Sequence, residues 1–215
     1  MKVEIWSDIM CPFCYIGKRK FELALQAFDQ PNKIEIEWKS FQLNPNLISQ
    51  PDSISIHQYL ADAKGWPLEK AIQLNQQVAE MGKDVGLDFH FELVKVTNTL
   101  LAHRFLQLAK SHEIGNQAKA ELFRAHFVEG KAVDQEETLL EIGKTIGLPE
   151  DPIRLLFHSD SYLDEVRKDL YEAQQLGIRG VPFFVFDHKF AVSGAQSPEI
   201  FIQALKKMKA EASIA

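Results

Sequence analysis

The 215-residue sequence holds only two cysteines, and both fall in one tetrapeptide, Cys11-Pro12-Phe13-Cys14. No second cysteine pair and no closely spaced histidine pair follows. A structural zinc site with its usual four ligands is therefore not expected, and no metal is called for. Long apolar stretches are missing too, since no uninterrupted run approaches the ~20 residues that span a bilayer, so a membrane is not an expected partner. The N-terminus has no basic region ahead of an apolar segment; Met1-Lys2 leads straight into a strand-like run. Export by a standard signal is not expected, and a reducing, cytoplasmic setting is. Excess positive charge is absent: 24 Lys and Arg against 30 Asp and Glu leave a net charge of -6, which argues against nucleic acid as a partner. Repeats and low-complexity segments are lacking as well. Apolar residues are plentiful, at 46%, enough for a packed core without crosslinks.

The first forty residues read as strand, helix, strand. Val3 and Ile5 begin the first strand, Phe21, Leu25 and Phe28 form a helical stripe, and Ile34, Ile36 and Trp38 alternate with charged residues. From about Asn44 helix follows helix: Ala71, Leu74, Val78, Met81 and Val85 repeat at three and four after Pro67, and further stripes run through Leu101-Phe105-Leu108, Ala118-Leu122-Ala125 and Leu139-Ile142-Ile146. Phe89-His90-Phe91 reads as a short extended segment between them. After Ser161 comes a helix carrying Leu163, Val166, Leu170 and Ala173, with Gly177 as its stop. A hairpin is expected next, Phe183 to Phe186 and Lys189 to Val192 around Asp187-His188, and then a final helix opened by Ser197-Pro198-Glu199.

This order predicts an α/β, thioredoxin-like fold interrupted by an all-helical insertion domain. Residues 1-48 and 160-215 would form a discontinuous thioredoxin-like domain and 49-159 the insertion, because neither terminal unit makes a sheet of useful width alone. The insertion's amphipathic stripes are also compatible with a homodimer.

The cysteine pair stands where a strand gives way to a helix. There Cys11 meets the free N–H groups of the first turn, whose partial positive charge favours a thiolate, and Pro12 suits that turn because it has no N–H to lose. Disulfide exchange needs an attacking thiolate and a second thiol to release the mixed disulfide; Cys11 fits the first role and Cys14 the second. Gly180-Val181-Pro182-Phe183 stands before the hairpin, and in a thioredoxin-like sheet this loop faces the cysteines. A cis Val181-Pro182 bond is expected, leaving the Val181 backbone free to pair with substrate. Asp8 is placed either to tune the thiolate or to shape the loop. Lys18, Arg19 and Lys20 read as a solvated helix face.

Ser7 to Lys18, Phe41-Gln42-Leu43-Asn44-Pro45, Asn98-Thr99 with Ala102-His103-Arg104, Gly180 to Phe186, and Ser193-Gly194-Ala195-Gln196 together resemble the DsbA-like thioredoxin family, and within it the FrnE-type branch of cytoplasmic dithiol oxidoreductases. The resemblance runs nearly end to end. It implies Cys11 as nucleophile, Cys14 as resolving cysteine and Pro182 as the cis proline. Val181, Phe13, His103 and Arg104 are candidates for substrate contact, the latter two against a substrate carboxylate or the Cys11 thiolate. The implied activity is that of a protein-disulfide oxidoreductase or isomerase acting on protein or small-molecule disulfides, recharged by a cellular thiol system, with no bound cofactor and glutathione as the conceivable cosubstrate. This sequence lacks the additional cysteine pair of some FrnE-type proteins, so the dithiol would act alone. The rival expectation is a glutathione-dependent enzyme of the kappa-class transferase or 2-hydroxychromene-2-carboxylate isomerase type, which shares the interrupted fold. Those enzymes typically keep a serine where Cys11 stands, and Cys14 favours the dithiol reading.

Overall fold

The computed structural model describes residues 1–212; residues 213–215, the end of the expected 160-215 segment, lie outside the described residues. Four strands form one mixed sheet in the order β2-β1-β3-β4, with β1 (Lys2–Ser7) parallel to β2 (Glu35–Ser40) and antiparallel to β3 (Phe183–Phe186), which pairs antiparallel with β4 (Phe190–Ser193). The parallel pair is joined by α1 (Pro12–Ala27), the crossover that parallel strands require. This is the expected thioredoxin-like fold, with a helical block inserted between β2 and α8 (Leu163–Gln175).

Six helices make up that block: α2 (Ile56–Lys64), α3 (Leu68–Lys83), α4 (Leu100–Ser111), α5 (Gly115–Phe127), α6 (Glu136–Ile146) and α7 (Glu150–His158). They do not keep a core to themselves. Phe105, Leu108 and Leu122 from the block join Val3, Ile5, Phe21 and Phe184 from the sheet and α1 in one buried cluster. Burial of each large side chain stabilises the fold by ~1.5–3 kcal/mol, so the block and the sheet are held together by the same term that holds each of them. On the other side of α1 the final helix α9 (Pro198–Ala212) adds Phe201, whose ring meets Phe184 edge-on at 4.6 Å.

Two readings of the sequence are corrected. Phe89-His90-Phe91 forms no strand: the segment is a loop, and its alternating pattern comes from Phe89 and Phe91 both turning into an aromatic cluster with Phe127. The second hairpin strand begins at Phe190, opposite Phe186, because Lys189 closes a turn onto the Phe186 carbonyl while Asp187 and His188 take φ of 46° and 55°. Helix α8 does stop at Gly177, where φ is +68° and the Gly177 N–H bonds back to Gln174. Among the described residues no helix is long and apolar enough to cross a membrane.

Candidate active site

Strand β1 ends at Ser7, and the chain turns through Asp8-Ile9-Met10 so that Cys11 becomes the N-cap of α1, with φ -94° and ψ 109°. The Cys11 N–H closes the turn onto the Asp8 carbonyl at 3.2 Å, Pro12 takes the first helical position, and the Cys14 N–H donates to the Cys11 carbonyl at 3.0 Å. No side chain caps the helix. The first-turn N–H groups are thus left facing Cys11, an arrangement that favours negative charge on its sulfur. Both cysteines are free thiols, and both are buried, Cys11 at 5% exposure and Cys14 at 1%.

The loop before β3 comes over them from the far end of the chain. The Val181–Pro182 bond is cis, and the Cys11 thiol points its hydrogen at the Val181 carbonyl at 3.6 Å. In this dithiol form that carbonyl is therefore turned to Cys11. Two contacts seat the loop: the Gly194 N–H donates to the Pro182 carbonyl at 2.8 Å, and the Pro182 ring lies so close to α1 that a Cβ at Gly17 would stand 2.9 Å from its Cγ. Tyr15 docks α1 against the helical block, its ring stacked on Phe123 at 4.9 Å. Phe13 projects outward, 41% exposed.

Beneath the thiols lies a buried polar group. The Asp8 carboxylate accepts the Leu43 N–H at 2.7 Å and faces His103 Nε2 at 3.3 Å, so it both shapes the loop and stands beside the thiols. Burial pushes this carboxyl up, but hydrogen bonds from His103, Leu43 and Thr99 outweigh it and hold Asp8 below the usual carboxylate value. Burial lowers His103 by more than Asp8 raises it, so a neutral ring donates its Nε2 proton to an ionised Asp8. The dithiol loses its protons in two linked steps. Its hydrogen bond with Cys14, burial, and the negative charge at Cys14 and Asp8 push the Cys11 thiol well up, so two thiolates side by side are strongly disfavoured.

Two further members come from α5. Lys119 is fully buried, its ammonium 4.8 Å from the Phe123 ring centroid and 5.5 Å from that of Trp38, and burial lowers it to about 8 against the pull of Cys14, Asp8 and Cys11. His126, 1% exposed and edge-on to Phe127, is lowered to about 4 by burial. Lys119 Nζ, His126 Nδ1 and His103 Nδ1 find no hydrogen-bond partner among the described residues. Neither Lys119 nor His126 stood out in the sequence. Each sits in a helix read for its apolar stripe, and no motif flags a lone lysine or histidine there.

The other candidates fall elsewhere. His103 faces Asp8, whose backbone carbonyl accepts the Cys11 N–H. Arg104, a candidate for substrate contact, is buried with its Nε donating to the Ser161 carbonyl at 2.7 Å and Nη2 to that of Ser159 at 2.5 Å, which fastens the turn between α7 and α8. The expected solvated face of α1 is also occupied: Lys18 is buried and paired with Glu22, Arg19 donates to the Val85 carbonyl, and Lys20 to that of Ala195. On the insertion side Cys11 opens onto a cavity of about 420 Å³, walled by Phe13, Leu43, Leu60, Trp66, Leu74 and Met81 among others. No group of three or more His, Cys, Asp or Glu side chains placed for a metal occurs among the described residues.

The family model for the DSBA-like thioredoxin domain matches residues 2–206. The chain belongs to this family. Among solved structures it is similar to the probable DsbA oxidoreductase SCO1869 from Streptomyces coelicolor, at 36% identity and a TM-score of 0.91 over 98% of this chain and 91% of that one. The uncharacterized protein YwbO of Bacillus subtilis (strain 168) is 26% identical over 205 residues, 94% of each chain. The cytosolic disulfide reductase DsbM from Pseudomonas aeruginosa shares the fold, with a TM-score of 0.69 at 16% identity over the full length of both chains.

Proposed function

We propose that this protein is a FrnE-type thiol–disulfide oxidoreductase or isomerase of the cytoplasm, acting on protein or small-molecule disulfides through Cys11 and Cys14. The observation that carries the reading is the placement of Cys11 at the open N-terminus of α1 with Cys14 one turn inside, nearly sealed from solvent. The Cys11 thiolate attacks a substrate sulfur, the substrate S–S bond breaks, and one half leaves as a thiolate. Cys14, deprotonated, then attacks the Cys11 sulfur and releases the other half, and its proton goes to a departing thiolate. The dithiol has given up two electrons, which a cellular thiol system returns. Run backwards, the same steps oxidise a dithiol substrate. Asp8, held ionised, adds a fixed negative charge that disfavours a lasting thiolate pair, so the second thiol keeps its proton until the first sulfur has become neutral in the mixed disulfide.

The resolving thiol separates this reading from the glutathione-dependent alternative, which needs no second cysteine. Insulin reduction by a small dithiol tests it: Cys11→Ser is expected to fall to the uncatalysed rate while retaining the fold. Full activity in Cys11→Ser would overturn the assignment.

A further inference from the structure

The cavity beside Cys11 has a chemical character that the dithiol alone does not require. Its walls are apolar, and no Asp, Glu, Lys, Arg or His side chain lines it. The polar residues among them are Asn75, whose amide is tied to His57 Nδ1 at 2.9 Å, and Gln77. Lys70 sits with its ammonium 5.0 Å from the Trp66 ring centroid and does not line the cavity. The mouth is apolar as well: Phe13, Leu43 and Met81 stand 41%, 48% and 39% exposed around it, a cluster that a solvated surface would not favour. A carboxylate or ammonium moved into such a space would lose its water and find no partner.

We propose that this cavity binds the group carried by the sulfur under attack, and that the group is a single uncharged apolar one, so that the substrate is a low-molecular-weight disulfide bearing an aryl or branched alkyl substituent. The inference rests on the dithiol reading and deepens it. Size suits a small substituent: about 420 Å³ lies at the lower end of the ~300–1,000 Å³ typical of ligand sites, and Cys11, 5% exposed, opens onto it. Charge speaks against glutathione as cosubstrate, because its two carboxylates and ammonium would meet no counter-charge along these walls. In the reaction the Cys11 thiolate bonds to the sulfur carrying the apolar group, which stays in the cavity while the other half leaves with the electron pair. Cys14 then displaces the retained thiolate and closes the Cys11–Cys14 disulfide. Trp66, Leu74 and Met81 set the preference by enclosing the retained group.

The test is a single turnover of the reduced protein with 2-pyridyl disulfides, which share one leaving group, pyridine-2-thione. The retained half is 2-phenylethanethiol, 3-mercaptopropionate, glutathione or an unstructured Cys-Phe peptide, and each rate is divided by that with free dithiothreitol. The phenylethyl compound is expected to react at least about tenfold faster than the two charged ones and faster than the peptide, as a desolvated charge costs more than ~1.4 kcal/mol. Leu74→Glu and Met81→Glu are expected to erase that advantage by lowering the phenylethyl rate; Met81 is exposed, so its variant folds. Equal corrected rates in the wild type, an advantage that survives in Met81→Glu, or a faster peptide would overturn the proposal. Failure to react with all four would instead overturn the dithiol assignment beneath it.

Discussion

Two groups of charged side chains are buried in this protein, on opposite faces of the same sheet, and they are built differently. Adjacent strand residues point to opposite faces. Lys39 of β2 turns toward α8, where its ammonium lies 2.9 Å from Glu172, 3.3 Å from Glu37, 3.4 Å from Asp169 and 3.6 Å from Glu4. Asp169 also accepts the Ser40 N–H at 2.7 Å and the Gln107 amide at 2.6 Å. Burial alone would lower Lys39, yet Glu172 and the other carboxylates raise it above the ordinary lysine value. Trp38, the neighbour of Lys39, turns the other way, and over its ring sits Lys119, which has no hydrogen-bond partner among the described residues and is lowered to about 8. One face thus carries a saturated network that reaches toward solvent at Glu37 and Glu172, and the other carries more deeply buried groups without hydrogen-bond partners among the described residues. An unmet buried donor or acceptor costs roughly 1–3 kcal/mol, a cost that natural folds tolerate mainly where the group acts. The unmet face is the one that carries the thiols.

This contrast makes three mutational predictions, from the largest effect to the smallest. Lys39→Met would strand the buried Glu4 and Asp169 carboxylates and is expected to cost ~3–5 kcal/mol in urea unfolding, while the folded fraction keeps its rate of Cys11 alkylation. If the alkylation rate fell with the stability, the two faces would not be independent. His126 gives the next effect, and its sign follows from its depressed folded value. The unfolded chain binds a proton near the usual 6.5 and the folded one only near 4, so the penalty for folding grows as pH drops through that window. His126→Leu should therefore remove a wild-type loss of about 3 kcal/mol between pH 6.5 and 4, read as a flatter curve of unfolding free energy against pH. An unchanged slope would mean that the ring is protonated in the fold.

The smallest and most telling change is Lys119→Met. It keeps the packing on Trp38 and Phe123 and deletes an unpartnered amine, so stability is expected to hold or rise by roughly 1 kcal/mol, opposite in sign to Lys39→Met. Loss of its positive charge should at the same time move the pH midpoint of Cys11 alkylation upward. A midpoint that stays in place would show that Lys119 is electrically separate from the thiols.

Much of this arrangement was legible in the sequence, and the part that was not has a common cause. Cys11, Cys14 and Pro182 are read from local chemistry: a strand end, a helix start, a proline before a strand. The stripes through α1, α3 and α6 are likewise local, since one face of each meets the core. Helix α4 carries its expected stripe of Leu101, Phe105 and Leu108 into the core, but every residue from Ala102 to Ala109 is buried, so the stripe does not mark off a polar face. Its His103 and Arg104 read as candidates for substrate contact, but in the fold His103 faces Asp8 and Arg104 bonds the turn between α7 and α8. Lys39 misleads for the same reason, as an apparent outward charge of an alternating strand that α8 covers. Asp8, His103, Lys119 and His126 share no motif; they converge only because the helical block folds back onto the end of β1.

The most direct test of the central claim is capture of the first covalent step. Cys14→Ser, incubated with a substrate disulfide and examined by intact mass and peptide mapping under non-reducing conditions, is expected to hold one mixed disulfide on Cys11 that dithiothreitol discharges. Continued turnover by Cys14→Ser with no adduct on Cys11 would contradict the account.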